Sequence, residues 1–359
     1  MVILMALGSP FKWTKFRGGF ELDCIGYFFS HRSYSLGISE SRAGWVIGWI
    51  KTLLSEGIVS VSDFCAGLGR INYTTNVLIF DRPLLGILYT WASAISRSSA
   101  ALARIPWAVR IVLFWISKRL AETGGCMIAA KDFVTPLGAP APLEQFRTDA
   151  KATDTGAWIG GWETSCTQDT KLARWFAFEV LEVDFPWVFI KKDPKRVIAA
   201  LELLGSVVAV MLFGKPGLLK GCTTIKGLTD NKSNTFAATK LLSTKFPLTI
   251  LVMELIAQLR EKGCQLQLDW ISRDLNEPAD DLTNCVYDRF SFSNRINVAP
   301  SELPFLVMPE LQKASSELFL QLQKEKADLV ARKLSGETLT QPALKKLRPL
   351  ERLKWKDPW

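Results

Sequence analysis

From Glu144 onward the chain reads as three strands, a helix, a fourth strand, two helices, a fifth strand and a last helix. That order constrains the fold more than any single residue does, and it makes this part of the chain α/β. The first three strands are Glu144 to Ala150, "GAWIGGWE" and "RWFAFEVLE"; Cys222 to Asp230 and "CQLQLDWIS" are the others. In the last, Leu266, Leu268 and Trp270 alternate with Gln265, Gln267 and Asp269, the period of a half-buried strand. "VDFPWVFIKKD" reads as an insertion. Asp193-Pro194 is a cap followed by a first-turn proline, and it opens a long helix to Phe213. Thr235 to Leu242 and "PLTILVMELIAQLREKG" are helical, and "PADDLTN" begins the last helix.

Upstream the pattern changes. Residues 1–36 read as strands around a Gly18-Gly19 turn. "MVILMALGSP" lacks a basic leader, is short for a signal peptide, and is expected to be a buried strand within a longer ancestral chain. Residues 37–123 read as helices. Ser39 caps one whose Trp45 and Trp49 share a face and which Gly57 follows; Ser62 caps a second; Pro83 and Pro106 open a third and a fourth. The tryptophans here are assigned to the core, given the apolar area each buries. A Gly- and Pro-bearing connector runs from Gly124 to Pro142. Residues 294–359 form a tail, helical from Pro309 to about Lys333, whose last stretch "LKKLRPLERLKWKDPW" is basic.

A formal net charge of +9 favours a polyanionic partner. The seven cysteines are scattered and never spaced as Cys-x-x-Cys, which argues against a disulfide framework or a zinc site and for a reducing, intracellular compartment, cytoplasmic or nuclear. With His31 the single histidine, imidazole-based chemistry has almost no material. Two runs imitate membrane spans, but Ala199 to Phe213 is short and carries Glu202, and Ala101 to Ile116 carries Arg104 and Arg110. A span takes about 20 apolar residues, so both are expected to be helices buried in protein, with no membrane partner.

Four acids stand at particular places in this order. Asp149 ends the first strand, Glu202 lies in the apolar helix "AALELLGSVVAV", Asp230 closes the fourth strand in "GLTDNKSN", and Asp280 begins the last helix. Each alone has a structural reading: a turn, an Arg pair, a cap, a helix N-terminus. Taken together, with the first and fourth strands as neighbours, Asp149 and Asp230 project side by side, and the two helices bring Glu202 and Asp280 over them. Such a cluster needs compensation, because a buried carboxylate costs several kcal/mol unless paired. Divalent cations supply it: Mg²⁺ prefers oxygen ligands, and two ions support phosphodiester cleavage.

These acids, with "TDN" and "WISRDLNEPADDLTN", resemble the ribonuclease H domain of retrotransposon reverse transcriptases over roughly Gly124 to Ser293. The resemblance implies a ribonuclease H-like mixed five-stranded sheet flanked by helices, preceded by a small β-hairpin and a thumb- or connection-like helical region. It also implies a Mg²⁺-dependent endonuclease, with Mn²⁺ as the alternative ion, that cleaves the RNA strand of an RNA–DNA hybrid. Asp149, Glu202, Asp230 and Asp280 would be its catalytic and metal-holding residues. Arg273 is placed to stand in for a histidine that many such enzymes carry near Trp270. Asn231, Lys232 and Asn234 are expected to touch the substrate backbone, and Arg42 and Arg70 to track the duplex. "FELDCIGYFFS", around Ile25-Gly26-Tyr27, is similar to the primer-positioning hairpin at the end of a polymerase palm, which implies a separate polymerase portion as a partner. The adjacent pair Asp280-Asp281 follows Asn276-Glu277-Pro278 and reads as a helix start, not a polymerase hairpin, so DNA synthesis is not expected. The alternative is a non-catalytic nucleic-acid-binding remnant of a decayed retroelement.

Overall fold

The computed structural model describes residues 18–33, 35–98, 101–122, 128–129, 142–214 and 223–335. The strand expected at Met1 to Pro10, most of the 124–142 connector, Cys222 and the basic stretch from Leu344 lie outside the described residues.

The described residues begin with a hairpin of β1 (Glu21–Cys24) and β2 (Tyr27–Ser30), against which β3 (Ser35–Ile38) pairs antiparallel. The tight turn is Ile25-Gly26, not Gly18-Gly19. Both of its residues have positive φ, 52° and 79°, the conformation whose twist matches the flanking strands. Helix α1 (Glu40–Glu56) follows Ser39 and ends on Gly57 at φ 70°, as predicted. The next cap differs from the prediction. Strand β4 (Ile58–Ser60) pairs with Leu102–Arg104 (β5), which holds the chain extended through Ser60. Ser60, rather than Ser62, therefore caps α2 (Val61–Thr75), its hydroxyl accepting from the Asp63 amide. Pro83 falls within a 3₁₀ turn (Ile79–Leu84) that runs into α3 (Leu85–Ile95), and α4 (Trp107–Glu122) starts after Pro106. Strand β6 (Ile128–Ala129) adds to β3.

Beyond residue 142 come β7 (Glu144–Ala152), β8 (Ala157–Glu163) and β9 (Trp175–Glu179). The expected insertion contains a short helix, α5 (Pro186–Phe189). Asp193 then accepts from the Lys195 amide ahead of α6 (Ile198–Phe213). The rest is β10 (Thr223–Thr229), α7 (Lys232–Lys240), α8 (Leu248–Glu261), β11 (Cys264–Trp270), α9 (Glu277–Thr283) and α10 (Met308–Leu334). Helix α7 begins three residues before the predicted Thr235 because Asn231 caps it, accepting from the Ser233 amide.

These strands form one sheet in the order β11-β10-β7-β8-β9. β8 is antiparallel to β7 and β9, while β10 is parallel to both β7 and β11. Alternation along β7 assigns its two faces. Thr148 faces α6, its hydroxyl 3.4 Å from that of Ser206, and Asp149, the next residue, faces α9. The stretch Pro194–Phe213 is long and apolar enough to cross a membrane, but most of it is buried inside the protein. An all-round apolar helix of this kind fits its place between the sheet and α8.

The helical half packs directly on the sheet half. Ile50, Phe64, Trp91 and Val112 belong to the same buried cluster as Phe146, Ile159, Leu204, Val208 and Leu255. Each fully buried side chain of this size contributes about 1.5–3 kcal/mol. Polar contacts fix the junction. Thr90 donates to the Thr244 carbonyl at 2.9 Å, and the buried Asp81 lies 3.6 Å from Arg119 and 3.5 Å from Arg260. The carboxylate of Glu254, wholly buried on α8, accepts from the amides of Leu306, Val307 and Met308 at 2.7–3.2 Å and so holds the N-terminus of α10.

Candidate metal centre

β7 continues to Ala152, past its last paired residue with β10, Leu228 opposite Arg147. In that notch no strand separates the two faces of the sheet. A carboxylate from each face can therefore meet there, and one from the end of β10 can join them. The structure brings together Asp149 from β7, Glu202 from α6 and Asp230 just beyond β10: one carboxylate oxygen of each lies within 4.8 Å of those of the other two.

Asp149 is 3% exposed and Glu202 5% exposed. One oxygen of each acid, Asp149 Oδ1, Glu202 Oε2 and Asp230 Oδ1, is buried without a hydrogen-bond partner. Asp149 uses its other oxygen to accept from the Thr283 hydroxyl at 3.1 Å. Burial, then the charge of Asp230, pushes Asp149 up to about 7 against the pull of Thr283. Burial, then Asp149 and Asp230, pushes Glu202 well above the usual carboxylate range, with Arg273 opposing. Arg273, mostly in solvent, has Nε 3.5 Å from Asp230 Oδ2. One exposed guanidinium does not balance three converging carboxylates. Three converging carboxylates, each with an orphaned oxygen, are the hard oxygen donor set a divalent cation such as Mg²⁺ or Mn²⁺ takes, so these residues fit one.

Asp280 stands at the edge of this group on α9 rather than inside it. Its Oδ2 accepts from Asn284 Nδ2 at 2.8 Å, and its charge is felt at Asp149. Asp280-Asp281 is helical, as the sequence indicates. Of the residues expected to meet substrate, Asn231 caps α7 and Lys232 places its ammonium 4.2 Å from the Trp270 ring centre. Asn234 is fully buried, which corrects its expected contact with a substrate backbone: no part of it reaches the surface. Arg42 donates to the Ile25 carbonyl at the hairpin tip and lies over Tyr73, and Arg70 lies 4.0 Å over Trp45.

Four supporting residues escaped the sequence reading. Thr283 orients Asp149 and Asn284 orients Asp280. Asn276, 1% exposed, donates to the Thr148 carbonyl at 3.1 Å and ties α9 to β7. Trp270 Nε1 donates to the Asp230 carbonyl at 2.9 Å. For Thr283 and Asn284 the signal lay in "NEPADDLTN", where they follow Asp280 at helical i+3 and i+4 spacing. Gly160 lets the helix come close enough, since a Cβ there would lie 2.6 Å from Leu282 Cβ.

Three antiparallel strands extended by two parallel ones, with the acids at the junction between the two sets, define a ribonuclease H-like α/β fold. No family model and no curated protein matches the chain. Among solved structures it is similar to ribonuclease H1 of the halophilic archaeon Halobacterium salinarum NRC-1, at 16% identity over 40% of this chain and 96% of that one, TM-score 0.27. It is also similar to LC11-RNase H1 in complex with an RNA/DNA hybrid, at 18% identity over 40% and 96%, TM-score 0.30. The foamy viral protease-reverse transcriptase in complex with dsDNA matches 70% of this chain at 12% identity and TM-score 0.22, and the chain spans 45% of its length. At these scores the fold stands on the strand order and not on the likeness.

Proposed function

We propose that the protein is a divalent-metal-dependent endonuclease that cleaves the RNA strand of RNA–DNA hybrids. The observation that carries this reading is the convergence of Asp149, Glu202 and Asp230, each with a buried oxygen that has no hydrogen-bond partner among the described residues. These three would hold the metal, with Mg²⁺ the expected ion. When bound, divalent cations polarise a phosphodiester and lower the pKa of water. Thr283 keeps Asp149 turned toward the centre, and Trp270 fixes the Asp230 backbone. Asp280, oriented by Asn284 at the open edge, is assigned to the water side of the reaction. Arg273 and Lys232 flank the opening and supply positive charge for a phosphate. A ribose 2′-hydroxyl in a wide minor groove distinguishes RNA from DNA. Residues 18–122 are proposed as the hairpin and thumb- or connection-like part of the same molecule, resting beside a polymerase portion.

The test is cleavage of a 5′-labelled RNA–DNA hybrid by the purified chain with Mg²⁺. The expected result is nicking of the RNA strand alone, abolished by chelator and by Asp230→Asn. An intact hybrid under conditions where a control ribonuclease H cuts it overturns the proposal.

A further inference from the structure

A second basin lies away from the acid cluster, where α3, the start of α8 and the middle of α10 meet the segment leading into α6. It encloses about 480 Å³ and is open on one side. Its floor is apolar, built from Ile87, Ile250, Leu318, Leu322 and a stacked pair, Phe246 and Phe319, with ring centres 4.7 Å apart. Its rim carries Arg97, Lys191, Arg196, Lys245 and Lys326, and among the described residues no acid lines it. Arg196 is shared with Asp193 at 3.0 Å, and Lys191 places its ammonium 5.2 Å from the Phe319 ring centre. One polar group is built into the wall: Ser315, 4% exposed, has a hydroxyl without a hydrogen-bond partner.

We infer that this basin binds single-stranded nucleic acid, taking an unpaired base against the apolar floor and its flanking phosphates on the basic rim. Five cations around one opening exceed what a single carboxylate needs and match a chain of phosphates. The half-buried Phe246–Phe319 pair beside them gives an apolar aromatic surface on which a base can rest. Binding here requires no cleavage at the acids, so it stands or falls separately from the nuclease reading.

The experiment is fluorescence anisotropy of the full chain with a labelled 12-mer oligothymidylate, in chelator so that cleavage plays no part. An abasic 12-mer of equal charge and vesicles of anionic phospholipid are run beside it. The variants are Lys191→Gln/Lys245→Gln/Lys326→Gln, whose exposed side chains leave the fold intact, and Leu322→Trp, which fills the basin. We expect the triple variant to lower the slope of log affinity against log salt by about 2, at ~0.7 per phosphate contact. Leu322→Trp and the abasic oligomer should each cost about tenfold. Unchanged binding in the triple variant, equal affinity for the abasic oligomer, or binding of vesicles but not oligothymidylate overturns the inference.

Discussion

Glu202 is the residue whose placement makes least sense without a ligand. It lies in an apolar helix, 5% exposed, with one oxygen unpartnered and two other carboxylates against it. Its neighbours show how the centre is held open. Thr283 reaches across from α9 to one oxygen of Asp149 and leaves the other bare. Replacing Thr283 by Val removes that donor while keeping the shape. We predict a loss of about 1 kcal/mol in stability and of about 10–100-fold in Mg²⁺ affinity, read by thermal denaturation and by metal titration. Unchanged metal affinity would mean that Thr283 merely fills space. The acids themselves were legible in the sequence, because a charge within "AALELLGSVVAV" and one at the end of a strand conflict with their surroundings. Thr283 was not, because its partner lies 134 residues away and only the tertiary fold brings them together.

At the scale of elements, the strand order and most helix starts could be read from periodicity and caps. The departures have local causes. Ser60 and Ser62 are both plausible caps by type, and the β4–β5 ribbon, a pairing across more than forty residues, selects Ser60. Trp270 continues the alternation of β11 yet is 45% exposed, since its indole turns to the Asp230 carbonyl and lies under Lys232 instead of entering the core. The seating of α10 was likewise hidden. Glu254 looks like one more polar residue of α8, and its three backbone partners lie more than fifty residues on. Glu254→Ala leaves those amides buried and unsatisfied, and we predict a destabilisation of about 3 kcal/mol. Hydrogen exchange should show the amides from Leu306 to Leu318 losing protection while the β10–β11 ladder keeps its own. Uniform loss across the chain, or none, would show that Glu254 does not act as the anchor of α10.

Across the whole molecule, three buried acids, Asp149, Glu202 and Asp81, make stability depend on pH in the same direction. Asp149 is raised to about 7 and Asp81, at the junction between the halves, to about 6, in each case chiefly by burial. A folded-state pKa above the unfolded value near 3.8 means that the folded protein holds the proton more tightly. Their contribution to stability is therefore fully present below about 4 and is lost as pH rises through these folded values. At 1.36 kcal/mol per unit the Asp149 share is on the order of 4 kcal/mol. We predict that metal-free protein melts progressively lower between pH 4 and 7, and that millimolar Mg²⁺ cancels the Asp149 and Glu202 parts and leaves the Asp81 part, which Asp81→Asn removes. Equal melting curves with and without Mg²⁺ at pH 7 would contradict this. The account as a whole rests on one gathering of charge from β7, α6 and the end of β10. The most direct test is an anomalous difference map from crystals soaked in Mn²⁺. The account predicts a peak in contact with Asp149, Glu202 and Asp230 that vanishes in Glu202→Gln/Asp230→Asn; a map without that peak, or with manganese bound only elsewhere, would contradict it.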